Sequence, residues 1–344
     1  MVMSGETERN RQDLHLAIEI AFVDLDEQIS GNTDFSIPYL AGAPGGGKTE
    51  SIRAKALKLD AAFISRNLGL ARLEEFGGIP DLRIVKFKKD GTVAKDDADE
   101  YESNELHTIW SVPELISEIR VLSKVRNCVI CLLDDWHLAP PDIQALGYEL
   151  FSQRSLKGYE VPDNCMFLLA GNDTSMAGAR TQFSAIMNRV AKTYVKTSFE
   201  YWRDNFAYNH NIYDAIPSFL GQRENTYLFH GKEDVTDPWA SPRSWTKLST
   251  KILTLQKKNF KLTENDFLIV CESHVGLEAA SKFVTYHDIY IKFDTDRIYS
   301  TGKFTIPTDP VDRFAFGAAI SSGVYNLWED PKLRKWWVEH TVTL

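Results

Sequence analysis

Residues 42–49 read GAPGGGKT, which fits the pattern G-x-x-x-x-G-K-[ST] of a phosphate-binding loop. The apolar stretch before it, at 34–40, predicts a short strand despite Pro38, and the stretch after it predicts a helix from about Lys48. The motif requires this order, because phosphate oxygens bind to backbone N–H groups at a helix N-terminus. The run therefore predicts a nucleotide-binding α/β domain.

The residue types within the loop have separate chemical reasons. Glycines let phosphate oxygens approach the backbone N–H groups, which a side chain would obstruct. Lys48 would place a point charge at the β and γ phosphates, and the Thr49 hydroxyl is a hard oxygen ligand for Mg²⁺. We predict that ATP is held by one continuous run, namely Gly42, Ala43, Pro44, Gly45, Gly46, Gly47, Lys48, Thr49 and Glu50.

Two carboxylates and an amide follow later apolar segments. Asp134 and Asp135 come directly after a predicted strand at 128–133, and Asn172 comes shortly after another at 166–170. Asp134 is the candidate ligand on the metal side, and Asp135 would orient or deprotonate the attacking water. The amide of Asn172 could bond that water or the γ-phosphate, although Gly-Asn-Asp-Thr is also an ordinary turn sequence.

The segments around the loop alternate between strand and helix patterns. Strands are predicted at 34–40, 61–65, 128–133, 166–170 and 190–195. Helices are predicted from Leu14 to about Gly31 and at 49–59, 113–125 and 141–153. Such alternation predicts a parallel α/β sheet with helices on both faces, an αβα layer order.

Two stretches interrupt this alternation, and the strand signal fades beyond about residue 200. A hairpin is predicted from strands at 82–87 and 92–94 around Asp90-Gly91. An acidic run at 96–102 fits a solvated loop or a contact site, and 155–163 is the second interruption. Later helical patterns at 244–255 and 263–290 predict a mainly helical second domain. We expect the nucleotide domain over 1–198 and the helical domain over 199–344.

The bulk composition narrows the class of protein. A net charge of −9 over 344 residues opposes the broad cationic surface that nucleic acid or an anionic membrane would select. Four cysteines without a signal peptide, and the lack of an apolar run near 20 residues, predict a protein of the reducing cytoplasm without a membrane anchor. Cys128 and Cys131 form a lone CxxC within a strand pattern, so their sulfurs should lie on opposite faces.

Further blocks accompany the loop in a fixed order. They are Gly77-Gly-Ile-Pro80, Leu133-Asp-Asp-Trp-His-Leu-Ala-Pro-Pro141, Val161-Pro-Asp-Asn164, Gly171-Asn172, Met187-Asn-Arg189-Val and Ser241-Pro-Arg243-Ser-Trp245. Together these blocks resemble the AAA+ superfamily, and more narrowly its MoxR-like branch, which includes RavA and the dynein-related ATPases. The resemblance covers nearly the whole chain.

The resemblance implies roles for three polar residues. Asn172 is similar to sensor 1, Arg189 to the arginine finger offered to a neighbouring subunit, and Arg243 to the sensor 2 arginine of a lid. Arg180 is the rival candidate for the finger. One departure concerns Asp135, where the family usually has Glu, and the shorter side chain puts the geometry of water activation in question.

The resemblance also implies an activity. It is Mg²⁺-dependent hydrolysis of ATP, which would lie between the two domains of a subunit. The subunits would form a ring homo-oligomer, a hexamer by analogy, and hydrolysis would be coupled to remodelling of a protein partner. A von Willebrand factor A-domain protein is one candidate partner, and the hairpin near Asp90 would be the insertion in helix 2. Two alternatives stay open: a nucleotide-gated assembly protein with negligible hydrolysis, for which Asp135 argues, and a DNA-dependent motor or loader, against which the acidic charge argues.

Overall fold

A six-stranded sheet forms the centre of the N-terminal part of the chain, and all of its strand pairs are parallel. The computed structural model describes residues 11–23, 25, 29, 36–90, 103–172, 184–222, 227–230, 237–293, 305–310, 312–313, 316–317 and 320. The strands are β1 (Gln12–Asp13), β2 (Ile37–Gly42), β3 (Ala62–Asn67), β6 (Val129–Asp134), β9 (Cys165–Gly171) and β10 (Val190–Lys196). Their order across the sheet is β1-β10-β2-β9-β6-β3. The predicted parallel α/β sheet is confirmed.

The burial of the central strands explains why this sheet forms. Every residue of β9 is buried, and so are the first five of β6, as expected for strands covered on both faces. Cys131 packs in the core on one face and Cys128 in the core on the other, so the predicted opposite orientation of the two sulfurs is confirmed. Neither forms a disulfide bond, and neither do Cys165 and Cys271.

Helices cover the sheet. They are α1 (Leu14–Ala21), α2 (Lys48–Lys58), α3 (Leu73–Gly77), α4 (Glu114–Leu122), α5 (Pro141–Gln153) and α6 (Ser184–Met187). Helix α5 begins with Pro141 at its first position, where the missing N–H costs no bond, and it matches the predicted bounds. The prediction that one helix runs from Leu14 to about Gly31 is wrong, because α1 ends at Ala21 and the C-cap residue Phe22 is buried in the core.

The first strand of the predicted hairpin pairs with a strand further along the chain. β4 (Pro80–Phe87) pairs antiparallel with β5 (Ser103–Trp110), a strand that the sequence did not predict. The Asp-Gly signal is local, and it carries no information about a partner strand that begins a dozen residues later. Residues 91–102, including 92–94 and the acidic run, lie outside the described residues. At the second interruption, β7 (Ser155–Leu156) and β8 (Tyr159–Glu160) form a small antiparallel hairpin.

The C-terminal unit, described by itself, is mainly helical in its described residues. The chain forms two compact units, which are 1–44 with 48–196 and 45–47 with 197–344. The helices of the second unit are α7 (Phe199–Trp202), α8 (Ala215–Gln222), α9 (Pro242–Lys257), α10 (Glu264–Val275) and α11 (Leu277–Tyr290), with a π turn at Arg203–Ala207 and a 3-10 turn at Tyr208–His210. Aromatic residues fill its core, where the ring of Phe219 lies 5.5 Å from that of Phe283 and 5.9 Å from that of Trp245.

The predicted helical stretch at 263–290 is two helices. Gly276 separates α10 from α11 with a φ of +79°, and a Cβ there would lie 2.6 Å from the Pro238 carbonyl oxygen. Only glycine meets both conditions, because other residues rarely adopt a positive φ. No helix among the described residues is long and apolar enough to cross a membrane.

Candidate functional site

The carboxyl ends of three neighbouring strands bring the predicted polar residues to one edge of the sheet. β9 lies between β2 and β6, with Ala41 opposite Gly171 and Leu133 opposite Leu169. Gly42 ends β2, Asp134 ends β6 and Asn172 directly follows β9. In open parallel sheets this carboxyl edge is where ligands bind.

Thr49 and Asp134 contact each other directly at this edge. The Thr49 hydroxyl, in the first turn of α2, donates a 2.6 Å hydrogen bond to Asp134 Oδ2. The other carboxylate oxygen of Asp134 accepts the backbone N–H of Asp135 at 2.9 Å. A hydroxyl and a carboxylate are hard oxygen donors, and Mg²⁺ is commonly held by one or two such protein ligands with substrate phosphates and water. The pair therefore fits the predicted metal.

Lys48 is buried at the start of α2, with only 8% of its surface exposed. Its ammonium donates to the backbone carbonyls of Gly42 at 2.9 Å and Ala43 at 3.0 Å. These bonds hold the charged end of the side chain beside the first residues of the loop. A buried ammonium needs such partners, because an unpaired one would shed its proton rather than stay charged in an apolar setting. The two bonds thus fix the side chain at the start of the loop, where the motif requires a cation.

The glycines of the loop have distinct constraints. Gly45 and Gly47 have φ values of +75° and +86°, which residues with a side chain rarely adopt. Gly42 is tight for another reason, since a Cβ there would lie 2.7 Å from the Val195 carbonyl oxygen on β10. Glu50, the last residue of the predicted run, is exposed and pairs with Arg53 at 3.5 Å one turn along α2.

Asp135 has a left-handed backbone and a fixed carboxylate. Its φ and ψ are 53° and 37°, and its Oδ2 accepts a 2.7 Å hydrogen bond from the Asn67 side-chain amide. Asn67 ends β3 opposite Asp134 on β6, and its own Oδ1 accepts the Gly69 N–H at 3.0 Å. The Gly69 N–H therefore orients the Asn67 side-chain amide, and that amide in turn orients the Asp135 carboxylate.

Asn172 is anchored through its backbone. Its N–H donates to Nδ1 of His137 at 3.2 Å. His137 lies in the 3-10 turn Trp136–Leu138 after β6, and it is only 3% exposed. Burial lowers the pKa of His137, and the nearby ammonium of Lys48 lowers it further, while the carboxylates of Asp135 and Asp134 oppose that shift. The unprotonated Nδ1 is the form that can accept this bond.

Arg189 lies at the other edge of the sheet. It directly precedes β10, and its carbonyl oxygen accepts the N–H of Ile37 at the start of β2. Its guanidinium donates to the Ala185 carbonyl at 2.8 Å and to the Tyr148 hydroxyl at 3.2 Å, and it lies 4.4 Å from the centroid of the Tyr148 ring. Strand β2 separates this edge from Gly42 by roughly 17 Å, at about 3.3 Å per residue. Its rival Arg180 lies outside the described residues.

Arg243 is the second residue of α9 in the C-terminal unit. Its side chain is exposed. Its backbone N–H donates to the Gly45 carbonyl at 3.3 Å, within the unit that includes 45–47. In the same unit the Thr197 hydroxyl donates to the Gly46 carbonyl at 2.5 Å. Ser241 caps the helix in a capping box with Ser244, which fixes the first turn of α9.

Comparisons with known proteins add little at the level of sequence. No protein-family model and no curated protein matches the chain. A proposed ATPase from Cytophaga hutchinsonii aligns with 53% of this chain at 14% identity and a TM-score of 0.30, and the alignment spans only 52% of that protein. Cdc6p from Pyrobaculum aerophilum aligns over 98% of this chain and 87% of its own, at 12% identity and a TM-score of 0.41. Similarities this low carry no conclusion about activity.

Two residues of this edge, Asn67 and His137, were not predicted from the sequence. Asn67 had a usable signal, since it stands just beyond the second predicted strand and parallel strands end at one edge. His137 lies within the block 133–141, but nothing in that pattern distinguishes a hydrogen-bond acceptor at the site from a buried core histidine. Both act through bonds to residues 35 or more positions away along the chain, which no local pattern encodes.

Proposed function

We propose that this chain is an AAA+ ATPase that binds ATP with Mg²⁺ and hydrolyses it. The observation that carries the proposal is the 2.6 Å bond between Thr49 and Asp134, two residues 85 positions apart. It joins the first turn of the P-loop helix to the carboxyl end of β6, as expected of a phosphate site with a metal-side carboxylate. The ordered blocks of the sequence, with a parallel sheet followed by a helical part, support the AAA+ assignment.

The residues of the loop would bind the triphosphate. Gly45, Gly46 and Gly47 leave backbone N–H groups open to phosphate oxygens, and the Lys48 ammonium matches the charge of the β and γ phosphates. Thr49 and Asp134 would hold Mg²⁺, which supplies charge neutralisation at the phosphates. Glu50, which follows Thr49 in the helix, is the last residue of the proposed ATP-binding run.

Three polar residues would act on the attacking water and the γ-phosphate. Asp135 is the proposed base, since its carboxylate is held by Asn67 rather than free to rotate. Asn172 would bond the water or the γ-phosphate, and Arg243 would contact phosphate as a lid arginine. A second candidate function, nucleotide-gated assembly with negligible hydrolysis, is favoured by one observation: the short Asp135 carboxylate is already engaged by Asn67.

The position of Arg189 supports a ring. At the amino edge of the sheet it is too far from the phosphate site of its own chain, so a neighbouring subunit would have to supply the finger. We therefore extend the proposal to a homo-oligomeric ring of MoxR type, a hexamer by analogy, that remodels a protein partner, with a von Willebrand factor A-domain protein as one candidate. The boundary between the domains at 198/199 belongs to the same proposal.

Nucleotide titration and phosphate release test the proposal. Lys48→Ala should weaken ATP binding at least about 10²-fold and abolish hydrolysis, because the variant loses the only side-chain cation of the loop. The matched control is Lys58→Ala, an exposed lysine in the last turn of the same helix, which should behave as wild type. Wild-type affinity in the Lys48 variant would refute the assignment. Tight ATP binding by the wild type without phosphate release would favour the assembly protein.

A further inference from the structure

His137 joins two strand ends of the candidate site. It lies three residues beyond Asp134, and its side chain reaches across to the end of β9, where Nδ1 accepts the N–H of Asn172 at 3.2 Å. His137 is buried, with only 3% of the residue's surface exposed. A buried acceptor paired with a backbone donor 35 residues away fixes the distance between the β6 turn and the β9 end.

The hydrogen bond from Asn172 to His137 lies just beyond the last residues of β9 that pair with neighbouring strands. The last pair between β9 and β2 is Gly171 with Ala41, and the last pair with β6 is Leu169 with Leu133. The N–H of Asn172 therefore lies beyond both ladders, and His137 supplies the acceptor that a neighbouring strand would otherwise provide. Without it, a half-buried N–H at the edge of the site would have no protein acceptor among the described residues.

The surroundings leave the imidazole and the β9 end little room. A Cβ at Gly171 would lie 3.1 Å from His137 Nδ1 and 2.7 Å from the hydroxyl of Tyr39. The strand end is thus packed directly against the ring and the phenol. Burial lowers the pKa of His137, which favours the neutral ring, and the tautomer with its proton on Nε2 leaves Nδ1 as an acceptor.

We propose that His137 is a positioning residue for ATP hydrolysis, which holds the backbone of Asn172 so that the Asn172 amide faces the water and the γ-phosphate. This inference rests on the function proposed above. His137 touches neither reactant, so it should change the rate of hydrolysis while leaving nucleotide binding to the loop almost unaltered. A histidine that merely fills the core would change thermal stability and leave the rate per folded molecule unchanged.

Three substitutions of His137 separate the acceptor from the bulk of the side chain. His137→Asn keeps an acceptor, because Oδ1 of Asn stands as many bonds from Cβ as Nδ1 of His. His137→Gln moves the carbonyl one bond further out, and His137→Leu removes the acceptor. We expect Leu and Gln to lower kcat about 10- to 100-fold, the cost of a misplaced group, with ATP affinity within about threefold of wild type. The Asn variant should recover to within about fivefold of wild type.

A double-mutant cycle completes the test. Since His137 acts through Asn172, adding His137→Leu to Asn172→Ala should lower kcat by less than about threefold beyond Asn172→Ala alone. Additive losses, equal losses in the Asn and Leu variants, or a wild-type rate in the Leu variant would each overturn the proposal. If the Leu variant does not fold, the Asn and Gln variants decide it. A wild type that binds ATP and releases no phosphate would instead overturn the proposed function.

Discussion

The two edges of the parallel sheet differ in what they carry. At the carboxyl edge, Lys48, Thr49, Asp134 and Asp135 each have a hydrogen-bond partner within the edge itself. At the amino edge, Arg189 is a half-buried cation that rests on Tyr148 and a backbone carbonyl. Parallel strands force this separation, because the carboxyl ends of all strands point the same way. If Arg189 serves the proposed site as an arginine finger, a second copy of the chain would have to bring the two edges together.

Among the changes that test the difference between the two edges, removal of the Arg189 cation at the amino edge should have the largest effect. Arg189→Ala should keep ATP binding and lower hydrolysis by about 10³ to 10⁵, the worth of an arginine finger. Mixing it with the Lys48→Ala variant should recover part of the activity, because a Lys48→Ala subunit still offers Arg189 to the intact loop of a neighbour. Phosphate release from co-assembled and separate variants measures this.

The same assay tests whether Arg180, rather than Arg189, is the arginine finger. Arg180→Ala serves as the comparison, and a loss of activity there with wild-type activity in Arg189→Ala would transfer the role. Verified co-assembly without any recovery would show that the two edges do not complete each other across subunits.

The next effect concerns the proposed base at the carboxyl edge. Asp135→Asn should keep ATP binding and lower hydrolysis by about 10² to 10⁴, because an amide cannot accept the proton of the water. Asp135→Glu, which introduces the residue usual in the AAA+ proteins that the sequence resembles, should raise turnover above wild type. Asp142→Asn, an exposed carboxylate in the first turn of α5, is the matched control and should leave turnover unchanged.

The outcome for Asp135→Glu decides between the two candidate functions. Turnover that rises from a measurable wild-type value indicates a slow hydrolase with a short base. Unaltered turnover in both Asp135 variants would remove Asp135 from the reaction altogether.

The smallest expected effect concerns the Tyr148 hydroxyl, which contacts Arg189 at the amino edge. Tyr148→Phe removes the hydroxyl that accepts from Arg189 but keeps the ring 4.4 Å below the guanidinium. Hydrolysis should change by less than about threefold, because a cation–π contact of about 0.5–1 kcal/mol remains at this partly exposed site. A loss in Tyr148→Phe as large as in Arg189→Ala would assign the tyrosine hydroxyl a direct part in the reaction.

The sequence predicted the elements whose cause is local. The strand at 128–133 and the helix at 141–153 follow from unbroken apolar runs and from Pro141 at a helix start, and the structure has both within one residue. The order of strand, loop and helix around the motif is likewise present, as β2, residues 43–47 and α2. These features depend on near neighbours in the chain, so a pattern can carry them.

The failures share a non-local cause. The partner of β4 lies beyond the connection from 88 to 102, and the break at Gly276 depends on the carbonyl of Pro238, 38 residues earlier. The roles of Asn67 and His137 arise only when separate strands end side by side. Composition at these positions is ordinary, and only the three-dimensional arrangement distinguishes them.

The buried cysteines can report local unfolding, because a buried thiol reacts only when its surroundings open. Cys128, Cys131 and Cys165 lie in the central strands, and Cys271 lies in the helical unit. Burial raises the pKa of Cys165 and of Cys271 to about 12, so the reactive thiolate is scarce while the fold is closed. Alkylation by a small reagent, followed by peptide mass spectrometry, would therefore record how often each unit opens. Such labelling with and without nucleotide would tell whether ligand protects the sheet, the helices or both.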